Sequence, residues 1–272
     1  MGRLVGFMGN RSDCLLDALH QERAAIAVPD GEEATSFGLG FYQGGEVLHK
    51  KRRLLDGESV DWEQVARGVR SDCVVIHVRH ATVGDYRSEN SHPFRMRSWL
   101  FAHSGTIHRF DAVKDRLAET MPDFIRRNIR GETDSEYFFH AVLSFLHDAG
   151  QLDRPEESSS AVLGALRSTV RLVDRLSKEV GAEEATLNLL LTDGRTMYGL
   201  RRGSPMSYVQ RNEIHDPIEP HPTMGHRDRP LNVRYIMIES NGEAVRDDGY
   251  QAIDEGSICV VARDLEVAVH PL

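Results

Sequence analysis

Apolar positions along the chain fall into short alternating or β-branched blocks towards both ends, with two helical stripes between them. Arg3 to Met8 is a short apolar run closed by Gly9-Asn10, which predicts a strand at the start of the chain. Phe37 to Tyr42 and Glu46 to Leu48 flank Gly44-Gly45 and predict a hairpin. Val74 to Val78 is β-branched, and Trp99 to His103 reads as a further strand ending at Ser104-Gly105. The period then changes. Thr133 to Glu136 has capping-box spacing, and Tyr137, Val142, Phe145 and Leu146 follow at helical intervals as far as His147. Ser158 to Val180 carries Val162, Leu166, Val170, Val173 and Leu176 on one stripe and predicts a longer amphipathic helix. The polar stretch from Asp153 to Ser160 links the two helices without marking a domain boundary. Strands resume at Leu187 to Leu191, and Asp193-Gly194 signals a tight turn into Thr196 to Leu200. Val233 to Ile238 and Ile258 to Ala262 read as late strands, and Arg211 to Pro230 as a long loop. Strands, two adjacent helices and strands again predict an α+β chain with antiparallel sheets, not alternating βαβ units. No internal repeat interrupts residues 1–272, which we read as one domain.

Composition narrows the partners. A hydrophobic fraction of 40% with 28% charged residues is an ordinary globular balance. A net charge of -9 argues against nucleic acid, which needs a basic face. Cys14, Cys73 and Cys259 lie far apart in no CxxC pair, which predicts buried thiols in a reducing compartment. No apolar run is long enough to span a bilayer and no signal-peptide core opens the chain, so a cytoplasmic location and no membrane contact are expected. Gly2 invites an acylation reading, but Gly6 stands where that signal wants Ser or Thr. His77, His80, His92, His103 and His108 crowd one region without the spacing of a zinc site, so neither metal nor cofactor is expected. His215, His221 and His226 fall in the expected loop and carry no assigned role.

Four motifs in order carry the chemistry. They are His77-Val78-Arg79-His80-Ala81-Thr82-Val83-Gly84, Glu89-Asn90-Ser91-His92-Pro93-Phe94, Phe101-Ala102-His103-Ser104-Gly105-Thr106-Ile107 and Gly131-Glu132-Thr133-Asp134-Ser135-Glu136. This series resembles the class II glutamine amidotransferases, N-terminal-nucleophile enzymes, and within them the small stand-alone branch that includes the ergothioneine-pathway amidohydrolases. The likeness runs from Met1 to about Leu200. It implies a four-layer αββα sandwich with two antiparallel sheets face to face, and a glutamine-like small-molecule ligand. In the family a cysteine exposed by loss of the initiator Met attacks the glutamine amide, with its own α-amine taking the thiol proton. By resemblance, Arg79 grips the substrate carboxylate with a forked pair of hydrogen bonds, and Thr82 adds a hydroxyl. Asp134 meets the α-ammonium, and Ser104 and Gly105 stand where the family forms its oxyanion hole. Each residue has a plainer reading: Arg79 paired structurally at a strand end, Asp134 favouring a helix dipole.

The sequence departs from the family at the point of attack. Gly2 occupies the nucleophile position, Ser104 replaces an Asn, and Thr35-Ser36-Phe37-Gly38-Leu39-Gly40 keeps only the later glycines of an Asp-Gly-Trp-Gly signature. Losing one oxyanion donor costs about 2.7–4 kcal/mol of transition-state stabilisation. Three separate losses point to natural drift away from turnover, a domain that binds glutamine or a γ-glutamyl compound without hydrolysing it. Two alternatives stand beside this: an active glutaminase or γ-glutamyl amidohydrolase whose cysteine was changed to Gly2, and a structural or regulatory subunit for a protein partner.

Overall fold

The computed structural model describes residues 2–23, 27, 34–55, 58–80, 87–153, 159–214, 233–240 and 249–272. The expected loop between Arg211 and Pro230, with its three histidines, lies almost wholly outside them. So does Thr82.

Two sheets form. In the first, strands β1 (Arg3–Gly9), β2 (Ala34–Gln43), β3 (Glu46–Arg53), β4 (Cys73–His80), β9 (Met206–Arg211), β10 (Tyr235–Ser240) and β11 (Gln251–Ile253) take the order β11-β9-β10-β1-β4-β2-β3. In the second, β5 (Phe94–Met96), β6 (Trp99–Thr106), β7 (Thr186–Thr192), β8 (Met197–Arg201), β12 (Ser257–Val261) and β13 (Val267–Pro271) take the order β13-β12-β8-β7-β6-β5. Every pairing is antiparallel.

Side-chain alternation along each strand sorts residues into three apolar interfaces. Val5, Phe7, Leu39, Val74 and Ile76 point outwards, onto α1 (Leu15–Gln21) and α2 (Trp62–Ala66). Leu4, Met8, Cys73 and Val75 point the other way and meet Ala102, Leu190, Met197 and Cys259 between the sheets. Trp99, Phe101, Leu187, Leu189 and Leu191 cover the far side of the second sheet, beneath α3 (Phe110–Glu119), α4 (Asp123–Arg126), α5 (Asp134–Asp148) and α6 (Ser159–Glu179). Three interfaces separate four layers, helices–sheet–sheet–helices.

The helices show how far local signals reach. Thr133 caps α5, its hydroxyl oxygen accepting from the Glu136 N–H at 3.2 Å. The reciprocal half of the expected box is absent, because the Glu136 carboxylate instead accepts from the Arg130 and Gly131 N–H groups at 3.0 and 2.7 Å. α5 buries Phe138 and Phe139 as well as Val142 and Leu146, while Tyr137 and Phe145 are only partly covered. It is held between the sheet and α6, so more than one stripe is enclosed. All five stripe residues expected on α6 are buried.

Gly38 and Gly40 survive in the altered loop signature for a steric reason. β2 passes directly beneath the cis His92–Pro93 segment, and a methyl group on Gly38 would overlap the His92 carbonyl oxygen. Gly38→Ala is therefore expected to cost about 1–3 kcal/mol by forced overpacking. A urea midpoint within experimental error of the parent would mean that this close approach does not exist.

Candidate active site

The candidate site begins at the N-terminal end of β1. Arg3 pairs with Val78 and Leu4 with His77, so residue 2 lies beside the C-terminal half of β4. On β4, Val74, Ile76 and Val78 face the α1–α2 layer. Alternation then turns His77 and Arg79 towards the space between the sheets. On β6 the same rule places Phe101 under the helices and Ala102 between the sheets, so Ser104 faces inwards as well. Ser104 reaches across and donates from Oγ to the Gly2 carbonyl at 2.6 Å. Gly2, His77, Arg79 and Ser104 thus meet at one end of the inter-sheet space.

Asp134 stands in the first turn of α5. Its Oδ2 accepts from the Ile107 N–H at 2.8 Å, one residue beyond the end of β6, and its Oδ1 accepts from the Ser135 N–H at 2.8 Å. The carboxylate therefore stitches helix to strand three residues from Ser104. Asp134 also holds up the pKa of His103, which burial lowers. His103 sits beneath α5, with Nδ1 2.8 Å from Ser135 Oγ and Nε2 3.2 Å from the Thr186 carbonyl.

Gly105 follows Ser104 and pairs with Leu187 on β7. A side chain there would overlap the Thr186 carbonyl, which gives this glycine a packing role independent of any oxyanion. Opposite Ser104 stands buried Asn188, whose Nδ2 donates to the Ser204 carbonyl at 2.7 Å and whose Oδ1 accepts from the Arg202 N–H at 3.1 Å. Asn188 lies outside the four motifs; only the strand register reveals it.

Two histidines pack together beside this end of β1. The rings of His77 and His92 are 4.3 Å apart. Burial pushes the His92 pKa well below the ordinary value, helped by the positive fields of His77, His103, Lys51 and Arg79. The imidazole is therefore neutral at pH 7. Among the described residues no group of His, Cys, Asp or Glu forms a metal-binding cluster.

Space at position 2 is the most informative feature. A Cβ on Gly2 would lie 2.7 Å from His77 Nε2 and 2.7 Å from the Val78 carbonyl oxygen. The first neighbour is a side chain, but the second is backbone within a paired strand. No thiol elsewhere substitutes. Cys73 pairs with Met8, at the opposite end of β1, and Cys14 lies beyond that end. Burial raises both thiol pKa values to about 12, so neither offers a thiolate.

Facing antiparallel sheets between helical layers, with these side chains at one mouth of the inter-sheet space, define the N-terminal-nucleophile sandwich of the class II amidotransferase type. The sequence matches the class-II glutamine amidotransferases over residues 12–245, and the chain belongs to that family. It is 31% identical over 141 residues to the probable glutamine amidotransferase DUG3 of Saccharomyces cerevisiae, a match covering 49% of this chain and 40% of that protein. It is 29% identical over 147 residues to the glutamine–fructose-6-phosphate aminotransferase of Mycobacterium leprae, covering 51% of this chain and 22% of the other. The chain spans 40% to 59% of the length of the first four curated relatives it matches. Among solved structures, a glutamine aminotransferase class-II domain protein of Silicibacter pomeroyi superposes with a TM-score of 0.64 at 18% identity, covering 99% of both chains. The PRPP amidotransferase of Bacillus subtilis superposes at 0.58 and 14% identity, covering 99% of this chain and 49% of that one. These two show the shared fold. Among the described residues no helix is long and apolar enough to cross a membrane.

Proposed function

We propose that residues 1–272 form one class II amidotransferase domain that binds glutamine or a γ-glutamyl compound without hydrolysing it. The observation that carries this reading is position 2. A hydrogen stands where the family places the attacking thiol, the carbonyl of that residue is bonded by Ser104, and a Cβ would run into Val78 and His77. An enzyme altered only at its nucleophile would keep the room for it; here the surroundings have closed in.

The charges needed to hold an amino acid remain. Arg79 faces the inter-sheet space from β4 and meets the ligand carboxylate, with Thr82 beside it in sequence. Asp134 meets the α-ammonium through Oδ2, which keeps a lone pair beyond the Ile107 N–H, while Oδ1 accepts from the Ser135 N–H and, at 3.4 Å, from the Ser135 hydroxyl. Ser104 and Gly105 line the amide end. In this arrangement the Ser104 hydroxyl is turned onto Gly2, so it offers no donor to an oxyanion, which removes a second element of turnover.

Calorimetry with glutamine and a set of γ-glutamyl amides tests the binding half. Saturable heat without release of ammonia or glutamate is the expected result. Flat traces at millimolar ligand would remove the binding claim, and ammonia release would remove the claim of inactivity. Gly2→Cys separates the rival reading of an active enzyme stripped of its thiol. Inactivity is expected for that variant, because the new Cβ must displace β4 backbone; glutamine hydrolysis by it would establish the rival.

A further inference from the structure

β3 has an unusual inner face. Opposite-strand pairing puts Val47 against Tyr42, His49 against Gly40 and Lys51 against Gly38, all on the side that looks towards the second sheet. Val47 is buried there, as a sandwich interior requires, but the next two inward positions are a histidine and a lysine. An inward charge on an edge strand can be simple protection against edge-to-edge pairing. That account does not cover the residues that converge from other elements.

Between the β3 and β5 edges lies a cavity of about 790 Å³, lined by His49 and Lys51 from β3, Phe94 and Arg95 from β5, Arg97 after it, Phe124 from α4, and Arg130 and Glu136 near the start of α5. Its four cations, Lys51, Arg95, Arg97 and Arg130, face two carboxylates, Glu89 and Glu136, in a chain whose overall charge is -9. Both Glu136 oxygens are already held by backbone N–H groups. Lys51 donates to the Ser91 and Ser88 carbonyls at 2.6 and 3.3 Å and stands 5.6 Å over the Phe94 ring, leaving one of its three N–H bonds for the cavity. Arg95 spends part of its fork on the Val47 carbonyl, and Arg97 is paired with Asp153. The Arg130 guanidinium has no hydrogen-bond partner among the described residues and is exposed.

At His49 the local field is positive. Burial lowers the pKa of His49, and Lys51 and Arg95 lower it further with no carboxylate opposing them. Burial also brings Lys51 down to about 8, although Glu136 and Glu89 act the other way. None of Gly2, Arg79, Ser104, Gly105 or Asp134 lines this cavity.

We propose that this cavity is a second small-molecule site, built for a compact polyanion whose phosphate or dicarboxylate head is gripped by Arg130, Arg95 and Lys51 and whose remainder lies against Phe94 and Phe124. Forked guanidinium groups and an ammonium converge on a doubly charged head as they do on phosphate or carboxylate elsewhere. The site stands independently of what occupies the cleft at Gly2.

Calorimetric titration with pyrophosphate and with citrate tests it and distinguishes the two head groups. At least one is expected to bind, and Arg130→Glu is expected to weaken that binding by about tenfold or more, the share of a lost charge-assisted hydrogen bond. Lys50→Glu changes the net charge equally but lies on the opposite face of β3, and should leave the affinity within about twofold, since distant exposed charges are screened. No binding of either anion at millimolar concentration would overturn the proposal. So would equal losses in the two variants, which would show diffuse charge attraction only. Both positions are exposed, so unfolding temperatures should match the parent.

Discussion

Replacing Glu22 with alanine is expected to destabilise the fold by about 3 kcal/mol, lowering the thermal midpoint by on the order of 10 °C. Glu22 lies just past α1 with 3% of its surface exposed, and its carboxylate is the meeting point of three strands' worth of side chains. Arg211 at the end of β9 donates from Nε at 2.7 Å and from a second nitrogen at 3.3 Å, Tyr235 on β10 donates at 3.0 Å, and Tyr250 before β11 at 2.9 Å. Truncation removes the shared acceptor of a guanidinium and two buried phenols together, which is why the loss exceeds that of an exposed pair. Arg211 keeps 22% of its side chain in water, which sets the estimate at the lower end of the range for broken buried pairs. A midpoint within about 2 °C of the parent would show that the cluster contributes no net stability.

The same cluster gives the acid dependence a sign. Burial alone would raise the Glu22 pKa, but Arg211 and the two tyrosines overcome it and bring it below the ordinary 4.5. A carboxyl with a lowered folded value contributes stability that is complete above the unfolded value and disappears as pH falls through the folded one. Urea midpoints should therefore drop below about pH 4.5 in the parent, and less steeply in Glu22→Gln.

Glu22 also marks where the sequence stops being informative. In the run Gln21-Glu22-Arg23 it has the look of solvated surface, and its partners lie 189 to 228 positions further on. Lys51 is similar: within His49-Lys50-Lys51-Arg52-Arg53 every charge reads as exposed until the register of β2 and β3 sorts them by face. The long stripes were legible, because a 21-residue helix repeats its apolar spacing often enough to be unmistakable. α1, with seven residues and no side-chain cap, and β5, with three, carry too few positions for any period to show. α3 leaves no signal in the sequence for another reason. It buries only Val113 and Leu117, and its N-cap, Arg109, has left-handed φ and no capping side chain. At the candidate site, missing sulfur at position 2 is visible in the letters themselves. That Val78 and His77 have taken the space, and that Ser104 is bonded to Gly2, depends on contacts between strands about 75 and 100 residues apart.

Arg79→Met is expected to weaken binding of glutamine about a hundredfold, since truncating one partner of an interfacial charge pair costs about 2–5 kcal/mol. Arg79→Lys should recover only part of this, a point charge replacing a planar fork. Arg79 occupies the inner face next to buried strand residues, so a loss of affinity by itself could reflect a distorted cleft. The ligand supplies the control. 4-Aminobutanamide is glutamine without its α-carboxylate, and glutaramic acid is glutamine without its α-amine. If Arg79 holds the carboxylate, the change to methionine should leave 4-aminobutanamide affinity almost unaltered while glutamine and glutaramic acid both suffer. Asp134→Asn should show the opposite pattern, sparing glutaramic acid. Such crossed selectivity is the signature of two charges each reading one end of a zwitterion, because a merely structural residue lowers affinity for all three compounds alike. Uniform losses across the three would therefore reassign Arg79 to the support of β4, and leave Asp134 to its bonds with the Ile107 N–H and with the Ser135 N–H and hydroxyl.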